Sequence, residues 1–161
     1  MTRAAPVAYL AMQKRLHWLV VILLALQYFV FDGMGRPFRT AIETGIAPYD
    51  LTPVVHIGIG FAVLLLALWR IGLRLSHGAP EAPAAEPPLF AKAAKWAHAA
   101  IYALLIGLPI GGAVAWFAGL KQFGEVHEVA TNILLAIVIL HVAAALVHHF
   151  WWRTDVLRRM I

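Results

Sequence analysis

With 161 residues, 62% of them hydrophobic and 13% charged, and a mean hydropathy of +0.79, the chain is far more apolar than a soluble domain, where about half the residues are apolar and a quarter charged. The absence of cysteine excludes disulfides, thiolate-held zinc, iron–sulfur clusters and c-type haem attachment. The formal charge of +5 is not a nucleic-acid footprint, because the basic residues sit in short groups flanking apolar runs and form no continuous face.

A helix that crosses a bilayer needs roughly 20 predominantly apolar residues, and four segments approach this. The first helix is expected at about 8–31, and the run shows no small-residue cleavage site of a signal peptide. An outer connection, Asp32 to Pro53, leads to the second helix at 54–75. Residues 78–88 carry four of the nine prolines, at 80, 83, 87 and 88, and read as a loop that divides the chain into two helical hairpins. The third helix is expected at 91–118, kinked at Pro109. A short turn at Lys121 to Glu128 precedes the fourth helix at 126–152. The expectation is a single all-α domain over 1–161, an integral membrane four-helix bundle in contact with lipid.

Lys and Arg are retained on the cytoplasmic side of such helices. One side collects Arg3, Lys14, Arg15, Arg70, Arg74, Lys92, Lys95, Arg153, Arg158 and Arg159, and the other only Arg36, Arg39 and Lys121. Both termini and the proline-rich loop are therefore expected in the cytoplasm, which for a bacterial chain means the inner membrane. Tryptophans 18, 69, 96, 116, 151 and 152 fall near span ends, as an interfacial aromatic belt does.

Six of the eight histidines, His17, His56, His98, His127, His141 and His148, lie in or at the edge of the spans. Ionisable groups at that depth are costly and mark function. On the fourth helix the spacings of 14 and 7 residues bring His127, His141 and His148 within an arc of roughly 60° on one face, and set His127 about 21 Å from His141 along the axis. His149 is rotated about 80° from His141 and receives no cofactor role. Two sites at different depths follow. A haem iron with two axial histidines takes one from each of two facing helices. On the outer side topology leaves His56 to pair with His127; on the inner side His141 faces either His17 or His98. The glycines near these histidines, Gly58, Gly60, Gly107, Gly111 and Gly112, suit close approach of a flat ring as well as ordinary helix packing. A histidine-lined path for hard divalent cations is disfavoured, because no acidic residue lies in 16–31, 54–69 or 96–120.

These residues carry a resemblance. The segments RLHWLVVILL (15–24), VHIGIGFAVL (55–64) with WRIGLRL (69–75), WAHAAIYALLIGLPIGG (96–112) and VHEVATNILLAIVILHVAAALVHHFWWRTDVLRRM (126–160) are similar to those of the prokaryotic cytochrome b561 family. The resemblance covers all four helices. It implies two b-type haems, with His17 and His141 as axial ligands of the inner one and His56 and His127 of the outer one, and it leaves His98 and His148 for quinone or proton chemistry. It further implies an enzyme that oxidises superoxide outside and reduces ubiquinone at the cytoplasmic side. Arg36, Arg39 and Lys121 are the candidate anion-steering residues, because charged clefts raise association rates. The outer segments also carry Asp32, Glu43, Asp50, Glu125 and Glu128, so steering requires the bases to gather at the haem mouth and the acids to lie elsewhere. The alternative is a haem-bearing anchor that passes electrons between a soluble dehydrogenase or hydrogenase partner and the quinone pool.

Overall fold

The computed structural model describes residues 6–83 and 86–161; Arg3 of the charge count and residues 84–85 of the proline-rich loop lie outside them. Among the described residues the chain is helical, without strands: α1 (Ala11–Phe29), α2 (Gly35–Thr44), α3 (Leu51–His77), α4 (Pro88–Ala118), α5 (Lys121–Phe150) and a 3-10 turn (Arg158–Met160). Helices α3, α4 and α5, with 27, 31 and 30 residues, are long and apolar enough to cross a membrane. At 1.5 Å per residue each exceeds the hydrocarbon core of about 30 Å. Helix α1 has 19 residues, and Gln13, Lys14 and Arg15 in its first turns dilute its apolar content.

Two elements depart from the sequence reading. The connection from 32 to 53 contains the ten-residue α2, closed by Gly45 in the left-handed region at φ 71°. It was hidden because its residues are half polar; only Met34, Phe38, Ala41 and Ile42 recur at helical spacing. The expected turn at 121–128 is helical instead. Gly119, left-handed at φ 65°, and Leu120 reverse the chain on their own. Lys121 and Glu125 pair at 3.2 Å across the first turn of α5. Gly124, inside the expected turn, is where the Phe38 ring of α2 packs on the α5 backbone.

Close packing runs α1 on α3, α3 on α4 and α4 on α5. The α5 backbone approaches α1 and α3 less closely, and contact there is made by side chains: Tyr28 of α1 donates to Thr131 O of α5 at 2.6 Å, and Leu134 enters the shared core. The core is a middle layer of Val20, Val63, Ala67, Leu105, Leu108 and Leu134, drawn from all four long helices. Leu105 and Leu134 are fully buried. Mid-span residues such as Leu65 and Leu140, 67% and 68% exposed, point away from the bundle, an arrangement that only lipid covers without cost. Of the six tryptophans, Trp18, Trp69, Trp96 and Trp151 are exposed, but Trp116 is buried and donates to the Tyr49 hydroxyl at 3.4 Å. Trp152 also turns inward, edge-on to His148 and Phe90.

At the end of the bundle opposite α2 the chain is tied together by side-chain bonds to backbone. The Gln13 amide donates to Gly78 O at 3.1 Å, Trp18 Nε1 to Met160 O at 2.8 Å, and Arg159 to Glu81 O at 2.6 Å. This basic end therefore gathers the start of α1, the end of α3, the proline-rich loop and the C-terminal turn.

A Cβ on Gly124 collides with the Phe38 ring, and overpacking of this kind costs about 1–3 kcal/mol. Gly124→Val is expected to lift α2 off α5 and to speed proteolytic cleavage within 32–50, while cleavage at the basic end stays at the wild-type rate.

Candidate haem sites between the helices

Helix α5 turns one stripe inward, His127, Leu134, His141 and His148, each seven residues after the last. Seven residues are nearly two turns, so the stripe lies along a single face. Its histidines meet partners at three levels.

At the α2 end, His127 faces His56 of α3, with ring centroids 6.3 Å apart and planes at 61°. His56 Nδ1 donates to Phe31 O at 2.8 Å and His127 Nδ1 to Leu108 O at 3.0 Å. With both Nδ1 protons committed to carbonyls, each Nε2 presents its lone pair, the state that metal-binding imidazoles hold. The contact to Leu108 O depends on Gly112, one turn further along α4: a Cβ there lies 3.0 Å from His127 Cε1. Beside the pair opens a cavity of about 430 Å³ lined by His56, His127, Gly60, Gly112, Asp32 and Glu128, among others.

At the next level, His141 lies between two histidines. His17 of α1 is 6.4 Å away, centroid to centroid, at 66°, and His98 of α4 is 5.1 Å away at 75°. Two imidazoles bound on opposite sides of one metal through bonds of about 2 Å have centroids about 6 Å apart. The His17–His141 and His56–His127 separations fit that span. His98 stands closer, on the helix that packs directly against α5. His17 also meets Arg70 of α3, whose Nη2 lies 3.2 Å from its Nδ1.

At the basic end His148 is buried. Its Nε2 lies 3.5 Å from Glu86 Oε1, whose side chain is equally enclosed, and its Nδ1 lies 3.0 Å from Thr154 Oγ1. The residues expected to steer anions are not gathered. Arg36 and Arg39 are exposed on α2, Lys121 is bound to Glu125, and none of the three lines the outer cavity, whereas Asp32 and Glu128 do.

The family model for prokaryotic cytochrome b561 matches residues 8–161. The chain belongs to the prokaryotic cytochrome b561 family. Among its relatives, cytochrome b562 of Cereibacter sphaeroides is 29% identical over 153 residues, covering 95% of this chain and 94% of the relative. The probable superoxide oxidase CybB of Yersinia pestis is 28% identical over 178 residues, covering 95% of each. Cytochrome b561 homolog 1 of Escherichia coli is 24% identical, covering 92% and 94%.

Membership in the cytochrome b561 family implies b-type haem and electron transfer in a membrane. The residues present fit such a group: facing imidazoles at the separation an iron requires, and, at the His56–His127 pair, Nε2 lone pairs prepared by carbonyl acceptors and a cavity alongside. Among the described residues no group of three or more His, Cys, Asp or Glu is arranged for a bare metal ion, so the His17, His98 and His141 group is not such a site.

The sequence reading gave no role to three residues that the structure brings to these sites. Arg70, counted only for topology, reaches His17; its signal was its place fourteen residues after His56, the spacing that separates His127 from His141. Glu86, inside the proline-rich loop, pairs with His148 and left no periodic signal. Gln27 donates to His56 O at 3.1 Å and turns a buried, unpartnered Oε1 toward the outer cavity it lines.

Gly112→Ala is expected to push the His127 ring off Leu108 O. Loss of such a supporting bond typically costs 10–100-fold in affinity at a metal centre. The expected result is a fall of about one haem per chain in a pyridine haemochrome assay at limiting haem supply, with the other haem retained.

Proposed function

We propose that this cytochrome b561 family chain is a di-haem electron-transfer enzyme of the bacterial inner membrane, which oxidises superoxide at the α2 end and reduces ubiquinone at the basic end. Helix α1 is the fourth span, and the termini and proline-rich loop lie in the cytoplasm, as the ten-to-three division of Lys and Arg argues. The observation that carries the reading is the pair of 6.3 and 6.4 Å imidazole separations along one face of α5. His56 and His127 are the ligands of the outer haem, His17 and His141 those of the inner.

With two imidazoles on each iron, a haem supplies a one-electron carrier and leaves no position for oxygen to bind. The overall balance is two superoxide, one ubiquinone and two protons giving two dioxygen and one quinol. The residues of the chain have separable tasks. Phe31 O and Leu108 O fix the outer imidazoles in the ligating tautomer. His98, beside His141, and His148 are the proton-handling groups at the quinone end. The Thr154 hydroxyl lies 3.0 Å from His148 Nδ1 and 3.3 Å from His148 O, which leaves Nε2 to the Glu86 carboxyl at 3.5 Å.

The superoxide donor is supported by the name of the Yersinia relative. A second reading draws on the charges there. Asp32 and Glu128 line the cavity while Arg36 and Arg39 point outward and Lys121 is paired, a pattern that repels an anion and suits electrons delivered by a soluble dehydrogenase or hydrogenase partner.

The spectrum of detergent-purified protein is expected to show two b-type haems per chain, and His127→Ala and His141→Ala each to remove a different one. Loss of the same haem from both variants refutes the two-level arrangement. Purified wild-type protein with superoxide and a soluble ubiquinone is expected to form quinol far faster than the spontaneous reaction. A background rate with both haems present selects the partner-fed reading.

A further inference from the structure

Arg70 of α3 stands fourteen residues after His56, which returns it to nearly the same face about 21 Å further along the axis, at the level of His17 and His141. Its Nη2 is 3.2 Å from His17 Nδ1, and its Cζ lies 5.5 Å from the centroid of the Tyr102 ring. Among the described residues no carboxylate pairs with it. Arg70 is thus a permanently charged fork inside a helix long enough to span the bilayer, and its hydrogen-bonding partner there is an imidazole.

That partnership is incompatible with a ligating His17. A guanidinium has donors only, so in this contact His17 Nδ1 accepts. A neutral imidazole that accepts at Nδ1 carries its proton on Nε2 and has no lone pair there for a metal. When Nε2 binds iron the proton resides on Nδ1, and two donors then face each other. The outer pair shows the contrast: both of its Nδ1 atoms already donate to carbonyls. Loading the inner site therefore releases Arg70, and a half-buried guanidinium released within a spanning helix is stabilised by an anionic acceptor. A b-type haem brings two carboxylates, whose planar geometry the arginine fork matches.

We propose that Arg70 is the binding site for a propionate carboxylate of the inner haem, exchanging His17 Nδ1 for that carboxylate when the haem binds. The inference rests on the inner-haem reading above and assigns Arg70 a positioning role, not one in the electron-transfer chemistry itself. The tie to Tyr102 holds the guanidinium within reach of the site in both states. The exchange couples haem arrival to the tautomer of the ligand, since His17 becomes ligating only as Arg70 leaves it.

The test uses wild-type, R70Q and R70K proteins loaded with haem labelled with 13C at the propionate carboxyls. Haem content, the midpoint potential of each haem and the labelled carboxylate stretch in redox difference infrared spectra are measured. In R70Q the midpoint of the inner haem is expected to fall, because removal of a positive charge disfavours the reduced iron. A tenfold loss in its reduced-to-oxidised ratio at fixed potential corresponds to 59 mV for one electron. The labelled carboxylate band of that haem is expected to shift, the outer haem to stay as it was, and R70K to restore most of the midpoint while its band still differs from wild type. Two haems with unchanged midpoints and an unchanged band in R70Q overturn the proposal, leaving Arg70 as a partner of Tyr102 alone. If R70Q retains neither haem, R70K decides, and a wild-type carboxylate band there overturns it. A wild-type chain that holds fewer than two haems instead refutes the di-haem reading itself.

Discussion

Imidazoles that face one another inside an apolar bundle must be held at a separation that neither side chains nor lipid can collapse. Here the α5 backbone packs closely on α4 and meets α1 and α3 through side chains, Leu134 in the core and the Tyr28 bond to Thr131 O. The helix thereby presents His127 to α3 and His141 to α1, and the packing from α1 through α3 and α4 fixes the distance at which those rings stand. The histidine rings, the Leu108 and Phe31 carbonyls that orient them, and the glycine at 112 that lets one ring approach a backbone all depend on that standing distance.

Much of this was legible in the sequence, for a physical reason. Lipid on the outside and a cofactor-sized gap inside leave few reasons for a histidine in a span, so the 14 and 7 residue spacings on α5 read directly as one face at several depths. His56 was assigned to His127 by depth alone, and the two rings stand opposite each other. The inner level was ambiguous because His17 and His98 both reach it; ring separations, which no spacing rule encodes, distinguish 6.4 Å from 5.1 Å. What escaped were features decided by tertiary contact. Gly124 signals a turn unless Phe38 covers it, and Glu86 lies in a proline-rich stretch where burial against His148 has no periodic trace. Helix α2 carries an apolar edge too short to stand out from a polar loop. Arg70 was counted for topology alone for a different reason: a cation at the end of a span satisfies the topology rule so well that its contact with a histidine was not sought.

Charge is distributed unlike the histidines. The outer cavity meets acids, the exposed bases of α2 face outward, and Lys121 is neutralised within its own helix turn. Formal balance along a segment therefore says little about the field at a site. Orientation of individual side chains on a ten-residue helix decides which sign a small anion or a protein partner meets first.

The layer between the two histidine levels consists of Val20, Val63, Ala67, Leu105, Leu108 and Leu134, and none of these side chains has a polar atom to relay a proton. An electron that tunnels through this layer travels without a compensating proton. The histidine levels lie about 21 Å apart along α5, in a hydrocarbon core of about 30 Å, so the transfer crosses roughly two-thirds of the membrane's electric field. A full crossing is worth about 2.3 kcal/mol per 100 mV. Under the proposed orientation and direction, inward electron flow would work against an inside-negative voltage, and an energised membrane would act as a brake on the chain.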